Sequence, residues 1–412
     1  MTTSVPSPVN TEPSDWAYVN EGRAAIVFSY HGPSDPLFNR KVLRFRKSTS
    51  SHPSTIEPDA DQPDDPIISF QQVVLARLID SQYLINLDVV ALDPGWLSAF
   101  AAHHDSLRPR EHRAVSRIDL TYRKAVLADD LVGPFACAIE IKPKWGFLPS
   151  PTHLSPKTAE IKTRTCRTCM HDYLRRTQSS VTSSPPIAYC ALDLFARDPA
   201  RVRRAVGGLW DTWIASAGHG NKLRVFARGT ALSPDDHTAV AACVANVLGT
   251  APNASLDDIR APFCETVAHT LLDTAVLPHL AELQRQLDVL DIEGLAALRA
   301  RTPEPDFPEP TLEDWRAFLD DFLASHSMLD HEHPDPARFF YYVRAFMLSA
   351  TLKDCSLFVC LADPPIIKLV DLDPKSVRKF QYWKEMDDEI VSAYAQVDPE
   401  KRAVCVGGST GC

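Results

Sequence analysis

The alternation of hydrophobic and polar positions changes character along this chain. Near its start, Ala24 to Tyr30 (AAIVFSY) and Lys41 to Arg46 (KVLRFR) have the length and composition of strands. His31 to Asp35 supplies turn residues between them, so the pair predicts a β-hairpin. Phe70 to Leu78 carries apolar residues at helical spacing, whereas Lys124 to Leu127 and Cys137 to Ile141 return to strand character. The middle of the chain is mainly helical, and Leu280, Leu283, Leu287 and Leu290 fall on one face of a single expected helix. Further on, a helix through Phe339, Val343, Phe346 and Met347 runs into the tetrapeptide KDCS. Two apolar β runs follow, Leu357 to Leu361 and Ile366 to Val370, the second closed by Asp371.

Proline-rich stretches separate these elements. The 33 prolines cluster with Ser, Thr and Asp in Lys47 to Pro66, Thr177 to Pro186 and Thr302 to Pro310, which are expected to be loops, the first a long exposed insertion. Residues 1–14 are expected to fray, as is the C-terminal GGSTGC. No internal repeat is visible. The class is α+β, and a small β-rich region before a larger helical one suggests two lobes around a kinase-like cleft. The boundary falls between residues 15–139 and 140–412.

With 412 residues and 45% hydrophobic content, the chain can bury a large core. A net charge of -10 argues against a general nucleic-acid binder, so an anionic ligand requires a local basic pocket. The N-terminal MTTSVPSPVNTEPSDW lacks a charged segment followed by an apolar one, and no apolar run approaches the roughly 18 residues of a membrane span. An intracellular protein without a membrane partner is expected, in nucleus, cytoplasm or both, with a monomer as the default. Ten cysteines scattered through a long chain read as reduced thiols.

Candidate chemistry concentrates in two segments. In Glu140-Ile-Lys142-Pro-Lys144 two lysines flank a proline at the end of an apolar strand, beside a carboxylate. This makes a rigid cationic edge suited to polyphosphate, or a strand end whose lysines reach water. In the second, Asp354 stands between helix and strand, and Asp371 ends the following strand with Asp373 close behind. One acid to orient a hydroxyl and another to hold Mg²⁺ is the division of labour in phosphoryl transfer, although acids around a hairpin are also common structural features. Lys375 and Lys379 would share a helix face if a helix follows Pro374, leaving Arg378 toward solvent. Lys162, Arg164, Arg167, Arg175 and Arg176 form another basic concentration.

Other motifs are absent. There is no G-x-x-x-x-G-K-[ST] loop, no complete dinucleotide fingerprint around Gly218-His-Gly220, and no G-x-S-x-G elbow. Cys166-x-x-Cys169-x-His171 is half of a zinc pattern without a second C-x-x-C, and it reads as helix packing.

The blocks EIKPKWGFLPS, CRTCMHDYLR, ALDLFARD, KDCSLFVC and VDLDPK resemble, in the same order, signature blocks of the inositol-pentakisphosphate 2-kinases. GRAAIVFSY and KVLRFR look like that family's nucleotide loop and following strand. The resemblance implies a two-lobed fold distantly similar to protein kinases, with an enlarged C-terminal lobe for an inositol phosphate and with ATP and Mg²⁺ as cofactors. It implies Asp354 as the acid facing the 2-hydroxyl, Lys142 beside the transferred group, and Asp371 as a magnesium ligand shared with Asp373. Gly22, Arg44 and Glu140 would belong to the nucleotide side. Lys142, Lys144, Lys162, Asn221, Lys375 and Lys379 would hold substrate phosphates, with Arg108 as a further ligand and Tyr382 or Trp383 in the place of a family tyrosine. An inositol with five phosphates carries roughly -8 to -10 charges, so several cations must converge on it.

The chain departs from the family at the nucleotide loop, where no Asn stands near the end of Gly22-Arg-Ala-Ala-Ile. It also departs after Arg44, where Arg46 or Lys47 would replace an expected cation. The mixed His and Cys zinc site of some relatives has no counterpart between Thr302 and Tyr342. Two other readings compete: an inactive inositol-polyphosphate sensor, which would be marked by loss of Asp354 or Asp371, and a kinase of this fold for less phosphorylated inositols or lipid headgroups. Both acids are present, and a basic amphipathic membrane helix is not.

Overall fold

The computed structural model describes residues 5–22, 25–49, 62–178, 189–302 and 308–407. Two antiparallel sheets with many helices make a mixed α/β molecule. The first sheet uses β1 (Trp16–Glu21), β2 (Ala25–Tyr30), β3 (Lys41–Thr49), β4 (Leu87–Ala91), β5 (Ser116–Ile118) and β6 (Lys124–Asp129). Their order is β1-β2-β3-β6-β4, with β5 on the far end of β3. The expected hairpin is β2–β3, with Phe28 opposite Leu43. On one sheet face Phe28, Phe45, Trp96 and Phe100 pack ring against ring.

The second sheet is built from β7 (Ala138–Ile141), β8 (Leu223–Ala227), β9 (Thr230–Ala231), β10 (Ser356–Cys360) and β11 (Ile366–Val370), ordered β11-β10-β7-β8-β9. β7 has neighbours on both edges and is buried throughout, which explains its unbroken apolar run up to Glu140. The largest hydrophobic cluster joins this sheet to the helices of the middle and end of the chain. The helices that matter for the site are α1 (Arg167–Gln178), α2 (Val276–Leu287), α3 (Asp291–Ala300), α4 (Phe339–Asp354) and α5 (Phe380–Ala395). The two sheets are tied by a bridge between Leu84 and Leu369 and by Lys368 Nζ donating to the Leu84 carbonyl at 2.8 Å.

Several expectations are corrected. The segment before Trp16 does not fray from Pro6 onward. The indole of Trp16 donates to Thr11 Oγ1, that of Trp96 donates to the Thr11 carbonyl, and Ala91 N–H donates to the Pro6 carbonyl. Buried indole N–H groups need acceptors, and this segment provides them. The insertion after Lys47 is not wholly exposed either: β3 extends to Thr49, and Gln62 is buried, its amide donating to the Thr121 carbonyl. Its centre, residues 50–61, lies outside the described residues, as do most of Thr177 to Pro186, residues 303–307 and the last five residues. The leucine stripe spans two helices rather than one. α2 ends at Leu287, the chain turns at Asp288, whose buried carboxylate pairs with Lys353, and Leu290 is buried beyond the break. A 3₁₀ turn at Val377–Lys379, not an α-helix, follows Pro374. Among the described residues, no helix is long and apolar enough to cross a membrane.

Candidate active site

The site begins where β7 leaves the sheet. Lys142 N–H still donates to the Lys222 carbonyl, after which Pro143 ends the pairing and Lys144 takes a left-handed φ of 66°. Gln284 of α2, fully buried, clamps this turn. Its side-chain oxygen accepts from Gly146 N–H at 2.8 Å, and its amide nitrogen donates to the carbonyls of Lys144 (3.0 Å) and Leu352 (3.1 Å). One side chain therefore fixes the cationic turn to the last turn of α4, immediately before Asp354. A Cβ on Gly146 would meet Ala281 and Phe195 at 2.8 and 2.9 Å, so only glycine fits that approach. Gln284→Leu keeps the volume but removes the partners of the Gly146 N–H and the Lys144 carbonyl and leaves the Leu352 carbonyl with the Cys355 thiol alone, at about 1–3 kcal/mol for each buried group left unpaired. It is expected to cost about 3 kcal/mol or more in denaturant unfolding and to lower turnover; a loss under about 0.5 kcal/mol would remove the clamp from the account.

Asp354 ends α4, and its carboxylate lies 3.2 Å from Lys144 Nζ and 2.7 Å from Lys375 Nζ. Desolvation at the cavity wall pushes this carboxyl up, but the two lysines outweigh it and hold it below the usual carboxylate range. Ser356 and Val370 are paired at the open end of the β10–β11 hairpin, which brings Asp371 next to this group. Ser356 Oγ, fully buried, is 2.7 Å from Glu140 Oε1 and 3.1 Å from Asp371 Oδ2, so one hydroxyl links the two acids. Lys142 Nζ stands 3.4 Å from Asp371 and 3.9 Å from Glu140, and Arg224 faces Glu140 at 3.7 Å. Asp371 has φ 58°, a conformation that Asp and Asn adopt more readily than most residues. Two residues on, Asp373 approaches Arg44 of β3 at 3.9 Å. Desolvation raises the Asp373 carboxyl; Arg44 opposes that effect and the charge of Asp371 adds to it.

Beside Asp354 opens a cavity of about 430 Å³ lined by α1, α4, the turn after β7 and the start of α5. Lys144, Lys222, Lys353, Lys375 and Lys379 line it, as do Lys162, Arg167 and Arg175. The acids on its wall are Asp172, Asp288, Asp291, Asp354 and Asp387. A cationic surplus thus gathers locally in a chain whose net charge is -10. Much of it is held by internal pairing: Lys222 with Asp172, Lys353 with Asp288, and Arg167 with Asp387. Lys353 is buried among the rings of Trp145, Phe147 and Phe346. Burial and the nearby cations, Arg175 first among them, push His171 down to about 4, so it is neutral near pH 7.

The family model for inositol-pentakisphosphate 2-kinase matches residues 18–389. The chain belongs to the inositol-pentakisphosphate 2-kinase family. It is 34% identical to the inositol-pentakisphosphate 2-kinase of Cryptococcus neoformans var. neoformans serotype D, covering 93% of this chain and 94% of that protein. The proteins of the same name from Arabidopsis thaliana and Danio rerio are each 24% identical, each alignment covering 92% of this chain and 93% of the relative. As a member of this family the protein is a kinase.

Within this chain, the structure brings Lys144, Lys162, Asn221, Lys375, Lys379, Tyr382 and Asp354 to one cavity. Lys142, Glu140 and Asp371 cluster at its edge, joined to Arg44 through Asp373. Trp383 lines the cavity as well as Tyr382, and it packs on Phe346. Lys162 is enclosed by Asp291, Glu293 and Asp387 at 2.6, 3.1 and 2.8 Å, so a phosphate would compete with three carboxylates for it.

Arg108 does not line the cavity. Its buried guanidinium binds Glu21 at the end of β1 and donates to the Ser116 carbonyl. Burial raises the Glu21 carboxyl, but Arg108 and Lys47 outweigh it and bring it down to about 2. Lys47 is therefore taken, and Arg46 stacks on Tyr122 near Asp65, so neither extends the basic wall. Gly22 sits at the β1–β2 connection and donates to the Ala25 carbonyl; Arg23 and Ala24 lie outside the described residues.

Sequence reasoning passed over Gln284, Ser356, Lys222, Arg224 and Lys353. Ser356 and Lys353 stand inside the KDCS block, and Lys222 follows Asn221, so proximity to quoted motifs was the available signal for those three. Gln284 interrupts a leucine stripe as one polar residue among many, and nothing in its spacing marks it.

Proposed function

We propose that this kinase transfers the γ-phosphoryl group of ATP to the 2-hydroxyl of inositol 1,3,4,5,6-pentakisphosphate, giving the hexakisphosphate. In this reading residues 15–139 form a nucleotide-binding lobe and residues 140–412 hold the inositol phosphate, as in a two-lobed kinase, and the chain acts inside the cell as a monomer. The observation that carries the proposal is the placement of Asp354 between Lys144 and Lys375, on the wall of a cavity rich in lysine and arginine, with the Asp371–Lys142 pair beside it.

Each part of the site then has a task. Asp354 accepts a hydrogen bond from the 2-hydroxyl and aims its oxygen along the line of attack. Lys142 offsets charge on the transferring group, as pre-oriented cations do in phosphoryl transfer. Lys144 and Lys375, with Lys379, Lys222 and Arg175 on the cavity wall, take the peripheral phosphates. Asp371, Asp373 and Glu140 offer hard oxygen donors of the kind Mg²⁺ requires, and the charge of Asp371, which adds to the desolvation that raises Asp373, is a repulsion that a divalent cation would relieve. Held by these acids, Mg²⁺ would supply neutralisation of the charge on the ATP phosphates.

The experiment is incubation with ATP, Mg²⁺ and inositol 1,3,4,5,6-pentakisphosphate, with products resolved by anion exchange. Hexakisphosphate is the expected product. Tight binding of the pentakisphosphate by folded protein without turnover would instead identify a sensor.

A further inference from the structure

Two of the lysines on the cavity wall, Lys375 and Lys379, stand on a stretch of chain with little backbone support. Leu372 to Lys375 form no backbone-to-backbone hydrogen bond with any described residue. Lys375 lies just before the 3₁₀ turn Val377–Lys379, and Lys379 is the last residue of that turn. A lysine ammonium hangs on a flexible four-carbon stem, so it is aimed only as well as the backbone beneath it is held.

Side chains from elsewhere do the holding. Thr351 Oγ1 of α4 donates to the Asp373 carbonyl at 3.3 Å, upstream of the turn. At the turn itself the partner is Glu309, 67 residues away in sequence. One of its carboxylate oxygens accepts from the Ser376 hydroxyl and the other from Val377 N–H at 3.1 Å, while Arg378 Nε lies 3.9 Å from the first. Ser376 Oγ also accepts from Arg378 N–H at 3.2 Å, so Glu309 and Ser376 together satisfy N–H groups that the start of a helix leaves open. The turn runs directly into α5, whose positive dipole end favours a carboxylate there.

Glu309 is itself held in place. Pro308 and Pro310 restrict the backbone on either side of it, and both line a small cleft of about 140 Å³ with Val377, Phe340 and Val343. Two residues after Glu309, Thr311 caps the helix Leu312–Ser325, and Asp314 in the first turn of that helix pairs with Arg344 of α4 at 2.6 Å. The segment carrying Glu309 is therefore fastened to the same helix that ends at Asp354.

We propose that Glu309 is a positioning residue: it fixes the turn that directs Lys375 and Lys379 into the cavity. It touches no substrate and acts only through these two lysines. The inference rests on the pentakisphosphate reading of the cavity, but its most direct readout needs no ligand. Two lysines that must be ordered anew at each binding event correspond to a loss of affinity of about 5–100-fold.

The test compares Glu309→Ala and Glu309→Gln with the parent. The Glu309 side chain is 42% exposed, so its removal opens no buried cavity and the variants should fold. Hydrogen exchange of the ligand-free proteins should show residues 375–379 exchanging at least about fivefold faster in Glu309→Ala, with α4 protected as in the parent. Calorimetric titration with inositol 1,3,4,5,6-pentakisphosphate should show binding about 5–100-fold weaker, with KM for that substrate raised and KM for ATP within about twofold of the parent. Glutamine can still accept from Val377 N–H and donate to Ser376 Oγ, so it should recover most of the affinity. A merely structural contact would lower the melting temperature and leave the affinity of the folded molecules unmoved. Pentakisphosphate affinity within about twofold of the parent in Glu309→Ala overturns the proposal, as does unchanged exchange at residues 375–379. A parent that binds no pentakisphosphate overturns the substrate reading instead, and faster exchange in the alanine variant then still upholds the role of Glu309 in fixing the turn.

Discussion

Asp354→Asn should lower kcat by about 10²–10⁴-fold, the usual contribution of a positioned acid–base group, while leaving affinity for inositol pentakisphosphate intact or improved. The second half of this expectation follows from the geometry. The Asp354 carboxylate sits between Lys144 and Lys375 and neutralises part of the charge that the substrate phosphates require. Asparagine keeps the shape and can hydrogen-bond, but it removes the negative charge, so both lysines turn fully to the phosphates. A merely structural acid at this position would behave differently: its loss would weaken binding and stability together and spare the turnover of the molecules that remained folded. Calorimetric titration of the substrate alongside initial rates separates the cases, and turnover within a few-fold of the parent would sink the assignment.

The second large effect is expected at Asp371, where asparagine should reduce kcat by about 10²–10³-fold and raise the Mg²⁺ concentration needed for half-maximal rate. The choice of substituent matters because Asp371 holds a φ of 58°, which asparagine tolerates and a branched residue would not. Backbone strain is thereby kept out of the comparison. The neighbouring Ser356 hydroxyl can still serve Glu140, so the hairpin end keeps one of its two polar links. Recovery of part of the rate at high Mg²⁺ would mark Asp371 as a metal ligand; an Mg²⁺ dependence identical to the parent's would remove it from that role.

Much of this site was legible because its chemistry is local in sequence. Glu140, Lys142 and Lys144 lie on one strand end, and Asp354, Asp371 and Asp373 bracket one hairpin, so strand and hairpin prediction nearly suffice to bring them together. What was not legible depends on long-range pairing. Arg108 looks like any cation ahead of a proline, and only the fold reveals the buried Glu21 that claims it. Lys162 is similar, since its three carboxylates come from α3 and α5 and no spacing rule connects them. The N-terminal segment was misread from its prolines, which break regular structure but do not prevent packing when indole donors await its carbonyls. The helix break at Asp288 was hidden because a leucine stripe continues in register across it.

The carboxylates that already occupy the lysines of the cavity bear on which anions the protein admits. A single phosphate entering there must detach an ammonium group from an existing carboxylate partner, gaining one ion pair while another is lost, so the exchange is nearly neutral and inorganic phosphate has little to win. A ring that presents five phosphates together makes the same exchange at several lysines for one loss of translational freedom, and the gains accumulate as they do in any multivalent contact. The resting pairs of the cavity thus behave as a threshold that the abundant small anions of a cell do not cross.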